Sequence, residues 1–154
     1  MVDHFGHERR GHEAGLREAI ELFYFSYRAF TAGPDQLLAE RGLGRVHHRI
    51  LYFVGRYPDI AVHALLALLA VSKQALHAPL RQLLEGDLVG MRPDEKDRRV
   101  RRLRLTESGR KLEARLTGTQ MKHLSGVFAA AGAEAAAHWT WVMRAVAQRT
   151  VGTG

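Results

Sequence analysis

The chain has 154 residues, 46% apolar and 25% charged, with a formal net charge of +7 and no cysteine. This is enough for one globular domain, or for a small domain with arms that need a partner. The lack of cysteine excludes a thiol switch and a thiolate metal site, and the longest apolar runs fall far short of a membrane span. The start, MVDHFGHERRGHE, is charged rather than apolar, so a cytoplasmic protein with neither a secretory signal nor a membrane segment is expected.

Residues 1–13 read as a flexible lead-in. From there Leu16, Ile20, Phe23, Tyr27 and Phe30 form a helical stripe that is expected to stop near Ala32-Gly33-Pro34. A short helix from Asp35 to Arg41 should follow and end at Gly42. Leu43, Val46, Ile50, Phe53, Val54 and Tyr57 recur at helical spacing and close at Arg56-Tyr57-Pro58-Asp59. Val62, Leu65 and Leu69 mark the inner side of a helix over about 61–70, and Ala70-Val71-Ser72 makes a tight turn into the next.

That next helix carries the first functional signal. Leu76, Leu80, Leu83 and Leu84 make one apolar stripe, which leaves Lys73, Gln74, His77, Ala78 and Arg81 on the opposite face. Ser72 is suited to cap its N-terminus. Glutamine can pair with adenine through two hydrogen bonds, and lysine or arginine suit guanine or phosphate, so Ser72, Lys73, Gln74, His77 and Arg81 are candidate major-groove contacts. Alone, such a face reads by default as a solvated helix surface.

The following segment shifts the balance. Gly86 with Asp87 can end the helix, and two alternating runs, Leu88 to Arg92 and Val100 to Leu105, flank a polar turn entered by Pro93. Residues 91–104 hold seven basic side chains (92, 96, 98, 99, 101, 102, 104) against three acids (94, 95, 97), a local net of +4. A basic β-ribbon beside a helix with polar readers suits phosphate contact and insertion of arginine into a narrow minor groove. Lys96, Asp97, Arg98, Arg99 and Arg101 are its candidate contact residues. Residues 43–105 thus read α-α-α-β-β, a winged helix.

After the wing, Thr106 can cap a long helix with Leu112, Leu116, Leu124, Val127, Phe128 and Ala131 on one face. Gly132 should break it before a last stripe of Trp139, Val142, Met143 and Val146. A domain of about 60 residues cannot bury all these stripes, so the segments 14–42 and 106–150 are assigned to dimerisation. The alternative is a monomer whose terminal helices wrap the winged domain. The expected fold class is mainly α with a small β-hairpin wing, a winged helix-turn-helix flanked by dimerising helices.

The sequences VSKQAL at 71–76 and LVGMRPDEKDRRVRRLRLTESG at 88–109 closely resemble the MarR family of bacterial transcription regulators. The most specific part is Asp97-x-Arg99-x-x-x-Leu103-x-Leu105-Thr106, and the layout agrees over about residues 14–150. The resemblance implies a homodimer, a minor-groove role for Arg99, and a role for Asp97 in holding it. It also places an effector pocket between the first helix and the winged domain, where Tyr27, Arg28 and His47 are candidate lining residues. For His47 the alternative is that it merely packs or caps.

Four departures from the family pattern stand out. Pro79 lies inside the reading helix, where it removes an N–H and should kink or shift the C-terminal half. Ala70 replaces a glycine in the turn. Leu66 and Leu68 put apolar surface where charge is usual, which reads as looser packing or as a partner contact. His48 replaces an aromatic, so a core position must find a hydrogen bond.

The nine histidines are read mainly as solvated or packed. His4, His7 and His12 cluster near the start, and His47 and His48 are adjacent and do not share a helix face, so no metal site is expected. No catalytic set is present: there is no glycine-rich phosphate loop and no H-E-x-x-H, and nothing brings Ser72, Ser108 or Ser125 to a histidine and a carboxylate. The expectation is therefore a non-enzymatic, cofactor-free regulator of double-stranded DNA. It would act as a homodimeric repressor on a pseudo-palindromic operator and respond to a small-molecule effector. A winged-helix protein-interaction module and a non-specific DNA-compacting protein are the alternatives.

Overall fold

The computed structural model describes residues 4–148, with side chains from residue 8 onward. Helix α1 spans His4–Ala39, α2 Arg45–Arg56 and α3 Val62–Leu69; the short strand β1, Ile60–Ala61, lies between α2 and α3. Helix α4 covers Lys73–Glu85, strands β2 and β3 cover Val89–Pro93 and Arg101–Leu105, and helices α5 and α6 cover Glu107–Ala131 and Ala133–Gln148. The winged helix is therefore present as expected, with small shifts at element ends.

Helix α1 differs from the sequence reading at both ends. Positions 4–13, expected as a flexible lead-in, are helical; residues 1–3 lie outside the described residues. This stretch lacks proline, and Arg17 donates to Glu13 one turn earlier at 2.8 and 3.0 Å. The expected break at Ala32-Gly33-Pro34 is also absent, because α1 continues to Ala39. Pro34 is fully buried, and Gly33 lies where an added Cβ would stand 2.8 Å from Thr119 Cγ2 of α5. Packing against α5 thus holds a helix that the local residues would interrupt. Gly42, at φ 66°, ends the turn, and Leu43 donates back to the Leu38 carbonyl at 3.0 Å.

The sheet has three antiparallel strands in the order β1-β3-β2, one more than the expected hairpin. Ile60 pairs with Leu103, and the wing strands pair from Val89↔Leu105 to Pro93↔Arg101. The core lies between α2, α4, α5 and this sheet. Ile50, Leu51, Val54, Leu65, Leu76, Leu83, Leu103, Leu112 and Leu116 are buried there, and Leu38 reaches it from α1. Two hydroxyl caps start the helices that carry the site and the arm. Ser72 Oγ accepts from the Ala75 N–H, and Thr106 Oγ1 accepts from the Gly109 N–H. Gly109 is required by a close approach, since a Cβ there would stand 1.9 Å from the Leu88 carbonyl oxygen.

Candidate DNA-binding surface and ligand cavity

Burial of Leu76, Leu80 and Leu83 fixes the rotation of α4. Lys73, Gln74, His77 and Arg81 are consequently exposed, and Ser72 sits at the cap. Pro79 lies within the continuous helix; Leu80 and Leu83 beyond it face the core together with Leu76, so the second half keeps its register. A groove of about 480 Å³ runs between α3, α4 and the wing. Lys73, His77 and Arg81 border it from the helix, Arg99 and Arg101 border it from the wing, and Leu66, Leu84 and Met91 form part of its floor. Gln74, Lys96 and Arg98 are exposed outside that groove. Leu66 is half-buried, whereas Leu68 is 47% exposed.

The wing tip is organised by two aspartates. Asp97 Oδ1 accepts from the backbone N–H and the Nε–H of Arg99, at 3.1 and 3.2 Å, while the Arg99 side chain is 93% exposed. The arginine is thus oriented without being covered. Asp94, which the sequence reading passed over, accepts from the backbone N–H groups of Lys96 and Asp97 at 3.0 Å and from Arg102 Nε at 2.6 Å. The Arg102 guanidinium first, then the two backbone N–H groups, hold its carboxyl down at about 2. A carboxylate two to three residues before a turn's N–H groups is an Asx-type signal, and it was legible in Pro93-Asp94-x-x.

A second cavity, of about 350 Å³, opens between α1, α2 and α5. Of the three expected lining residues, only Tyr27 reaches it. Arg28 lies over the Tyr24 ring on its own helix, 5.8 Å from the centroid. His47 is buried on the other side of α2: its Nδ1 accepts from the Gly44 N–H at 2.9 Å, and its Nε2–H donates to Gln82 Oε1 of α4 at 2.6 Å. The capping alternative for His47 therefore describes its geometry. The next residue takes the expected place, because one step along a helix turns the side chain by about 100°.

His48, Arg45 and Arg49 of α2 line the cavity, facing Tyr27 and Phe30 of α1 and Thr117 and Met121 of α5. Arg49 donates to the Tyr27 hydroxyl at 2.7 Å. The Arg45 guanidinium lies over the Tyr27 ring and donates to both Asp35 oxygens. The Thr117 hydroxyl donates to Glu113 at 2.7 Å, so its oxygen accepts from His48 Nε2–H at 3.2 Å. Burial lowers the His48 pKa against the opposing pull of Glu113, which favours the neutral ring. Among the described residues no three His, Asp or Glu side chains come together to hold a metal ion. The side chains of His4 and His7 lie outside the described residues, and His12 is exposed.

A three-helix core with a three-stranded antiparallel sheet, an exposed polar helix face and a basic wing define a winged helix-turn-helix protein. Residues 41–100 match the MarR family. The chain is 40% identical over 131 residues to the HTH-type transcriptional regulator PetP of Rhodobacter capsulatus, covering 85% of this chain and 79% of that one. Two solved structures share the fold at 18% identity. A MarR family transcription regulator aligns with a TM-score of 0.77 over 90% of this chain and 92% of its own. Streptococcus pneumoniae FabT in complex with DNA aligns with a TM-score of 0.75 over 86% of this chain and 94% of its own. The chain belongs to the MarR family of winged helix-turn-helix transcriptional regulators. Among the described residues no helix is long and apolar enough to cross a membrane.

Proposed function

We propose that this protein is a homodimeric, cytoplasmic repressor that binds a pseudo-palindromic operator and is released by a small organic ligand. The observation that carries the DNA reading is the shared surface on which Lys73, His77 and Arg81 of α4 meet Arg99 and Arg101 of the wing. In this reading the helix residues, with Gln74, contact base edges and phosphates in the major groove, while Arg99, oriented by Asp97, enters the minor groove. Lys96, Arg98 and Arg101 supply phosphate contacts.

The dimer reading rests on unburied apolar surface. Ile20 of α1 and Trp141 of α6 are each 70% exposed, and among the described residues α6 has none that is buried. A second copy supplies the most economical cover, and its two-fold axis would set the two reading helices roughly 34 Å apart, one helical turn of DNA. The effector reading rests on the cavity lined by Tyr27, Arg45, His48 and Arg49, whose aromatic walls suit a small aromatic ligand and whose Arg49 can add a polar contact. Release then requires different affinities of the two states: a tenfold loss of DNA binding corresponds to about 1.4 kcal/mol. No catalytic role is assigned.

Selection from a randomised duplex library at roughly physiological salt tests this function, since specific and non-specific affinities separate there by orders of magnitude. One enriched inverted repeat with half-sites a helical turn apart is the expected result. Salt-sensitive binding without enrichment would replace this reading with DNA compaction. Salt-insensitive or absent DNA binding would point to a protein-interaction module, for which exposed Leu68 is the available apolar contact.

A further inference from the structure

Asp59 lies in the turn between α2 and β1, outside the wing, at φ 65°. Its backbone N–H donates to the Leu103 carbonyl at 2.9 Å, which ties the turn to β3. Every acceptor of this residue then meets a wing arginine. Oδ1 accepts from Arg92 Nη2 at 3.1 Å, Oδ2 accepts from Arg104 Nη2, and the carbonyl accepts from Arg102 Nη1 at 3.0 Å.

The reason three arginines converge there is strand geometry. Arg102 and Arg104 alternate with the buried Leu103 and Leu105, so they share the outer face of β3, and Arg92 of β2 is paired directly opposite Arg102. Three cations on one face of a narrow ribbon repel one another unless an anion joins them. Asp59 is that anion, and Asp94 takes the Arg102 Nε–H. The Arg104 and Arg92 guanidiniums correspondingly hold the Asp59 carboxyl below the usual carboxylate range. The wing's charge is therefore divided: Arg92, Arg102 and Arg104 are held along the strands by Asp59 and Asp94, whereas Arg99 is held by Asp97 at the tip with its side chain almost fully exposed.

We infer that Asp59 is the positioning residue of the wing: by clasping the three strand arginines it fixes how Arg99 is presented beside the reading helix and confines DNA-facing charge to the tip. A residue that touches no DNA thereby raises the preference for the operator over other DNA. The inference rests on the reading of Arg99 as a DNA contact, and that reading is tested separately by Arg99→Ala.

The test uses Asp59→Asn in the full chain, because asparagine also tolerates the left-handed turn while removing the charge. Affinity is measured on the inverted repeat recovered by selection and on a scrambled duplex of equal length, across a salt series. The dissociation constant for the repeat should rise about tenfold, while that for the scrambled duplex stays within twofold or falls. The freed arginines should steepen the salt slope on the scrambled duplex by about one or more phosphate contacts, each worth about 0.9 in the logarithmic slope. In an Arg99→Ala background Asp59→Asn should cost the repeat less than twofold. Equal weakening on both duplexes, or effects of the two changes that multiply, would overturn the inference.

Arg104→Gln, at an exposed side chain, removes one partner and should give a smaller loss of preference in the same direction, even if Asp59→Asn does not fold. Amide exchange of the free protein adds an arm that needs no operator. The Asp94 and Val100 amides, bonded to Val100 O and Asp97 O at 2.8 and 2.9 Å, should exchange several-fold faster in both variants. Unchanged exchange would refute the clasp, whereas Arg99→Ala without effect on the repeat would refute only the reading on which it rests.

Discussion

His47 Nε2 stands 2.6 Å from Gln82 Oε1, so the first turn of α2 is hydrogen-bonded directly to the reading helix α4. The same ring closes the N-terminus of α2 through Gly44, which uses both imidazole nitrogens and assigns the proton to Nε2. Its neighbours Arg45, His48 and Arg49 face the cavity, which makes α2 the wall shared by cavity and reading helix. Replacing His47 with alanine removes two part-buried hydrogen bonds and should cost about 2 kcal/mol of stability; Gln82→Ala should cost about 1 kcal/mol. In denaturant unfolding the double variant should be less destabilised than the sum by about 1 kcal/mol, and strict additivity would show that the pair is not coupled.

On the DNA side, Arg99→Ala should weaken operator binding by roughly tenfold or more without lowering the melting temperature, because the side chain is almost fully exposed and its partner Asp97 remains solvated. Gln74→Ala should instead relax sequence preference, at about 1–3 kcal/mol of lost discrimination at one base pair. Intact preference would move the readout to other α4 residues.

Two backbone positions make opposite predictions. Ala70 ends α3 in the left-handed conformation, φ 51° and ψ 41°, which costs a non-glycine residue about 1 kcal/mol or more. Ala70→Gly should therefore raise stability by up to about 1 kcal/mol, reduced by the extra freedom that glycine gives the unfolded chain. Gly109→Ala should lower it by about 1–3 kcal/mol, since the new methyl meets the Leu88 backbone. Thermal unfolding of the two variants checks both signs.

Burial lowers the pKa of His48 below its ordinary 6.5, and the sign of the pH effect follows. As pH falls through about 6.5 the unfolded chain takes up a proton that the folded ring still refuses, so stability contributed by the neutral ring is present above that pH and declines below it. His48→Phe should flatten the pH dependence of unfolding in that window. A slope unchanged by the substitution would show that other groups set it.

Asp94 runs the other way in cause but not in direction. Its folded carboxyl sits at about 2 against an ordinary 3.8, so its contribution to wing order is complete above about 4 and is lost as pH falls toward 2. The Lys96 and Asp97 amide resonances, both donors to Asp94, should titrate with a midpoint near 2 in a proton–nitrogen correlation series. A midpoint near 4 would show that the clasp at the tip is open in solution.

Features decided within a few residues were legible in the chain. The stripe of Leu76, Leu80 and Leu83, the caps Ser72 and Thr106, and the helix stops at Gly86 and Gly132 all depend on neighbours less than three turns away, where periodicity and capping chemistry act, whereas the Asp97-x-Arg99 pair was implied by the family resemblance alone. Strand β1 was not legible, because two residues become a strand only by pairing with Leu103 and Arg102 more than forty positions later. Nor was the continuity of α1 across Gly33-Pro34, where packing on α5 outweighs local propensity.

Adjacent histidines gave the sharpest division. The sequence by itself determined a winged helix with a basic wing and two polar residues, His47 and His48, on α2. Only the tertiary structure decided that His48 faces the cavity and His47 the reading helix, and that Asp59 gathers arginines from both wing strands. Helical periodicity states the angle between two side chains, but which neighbour each one meets is set by how distant elements pack around the helix.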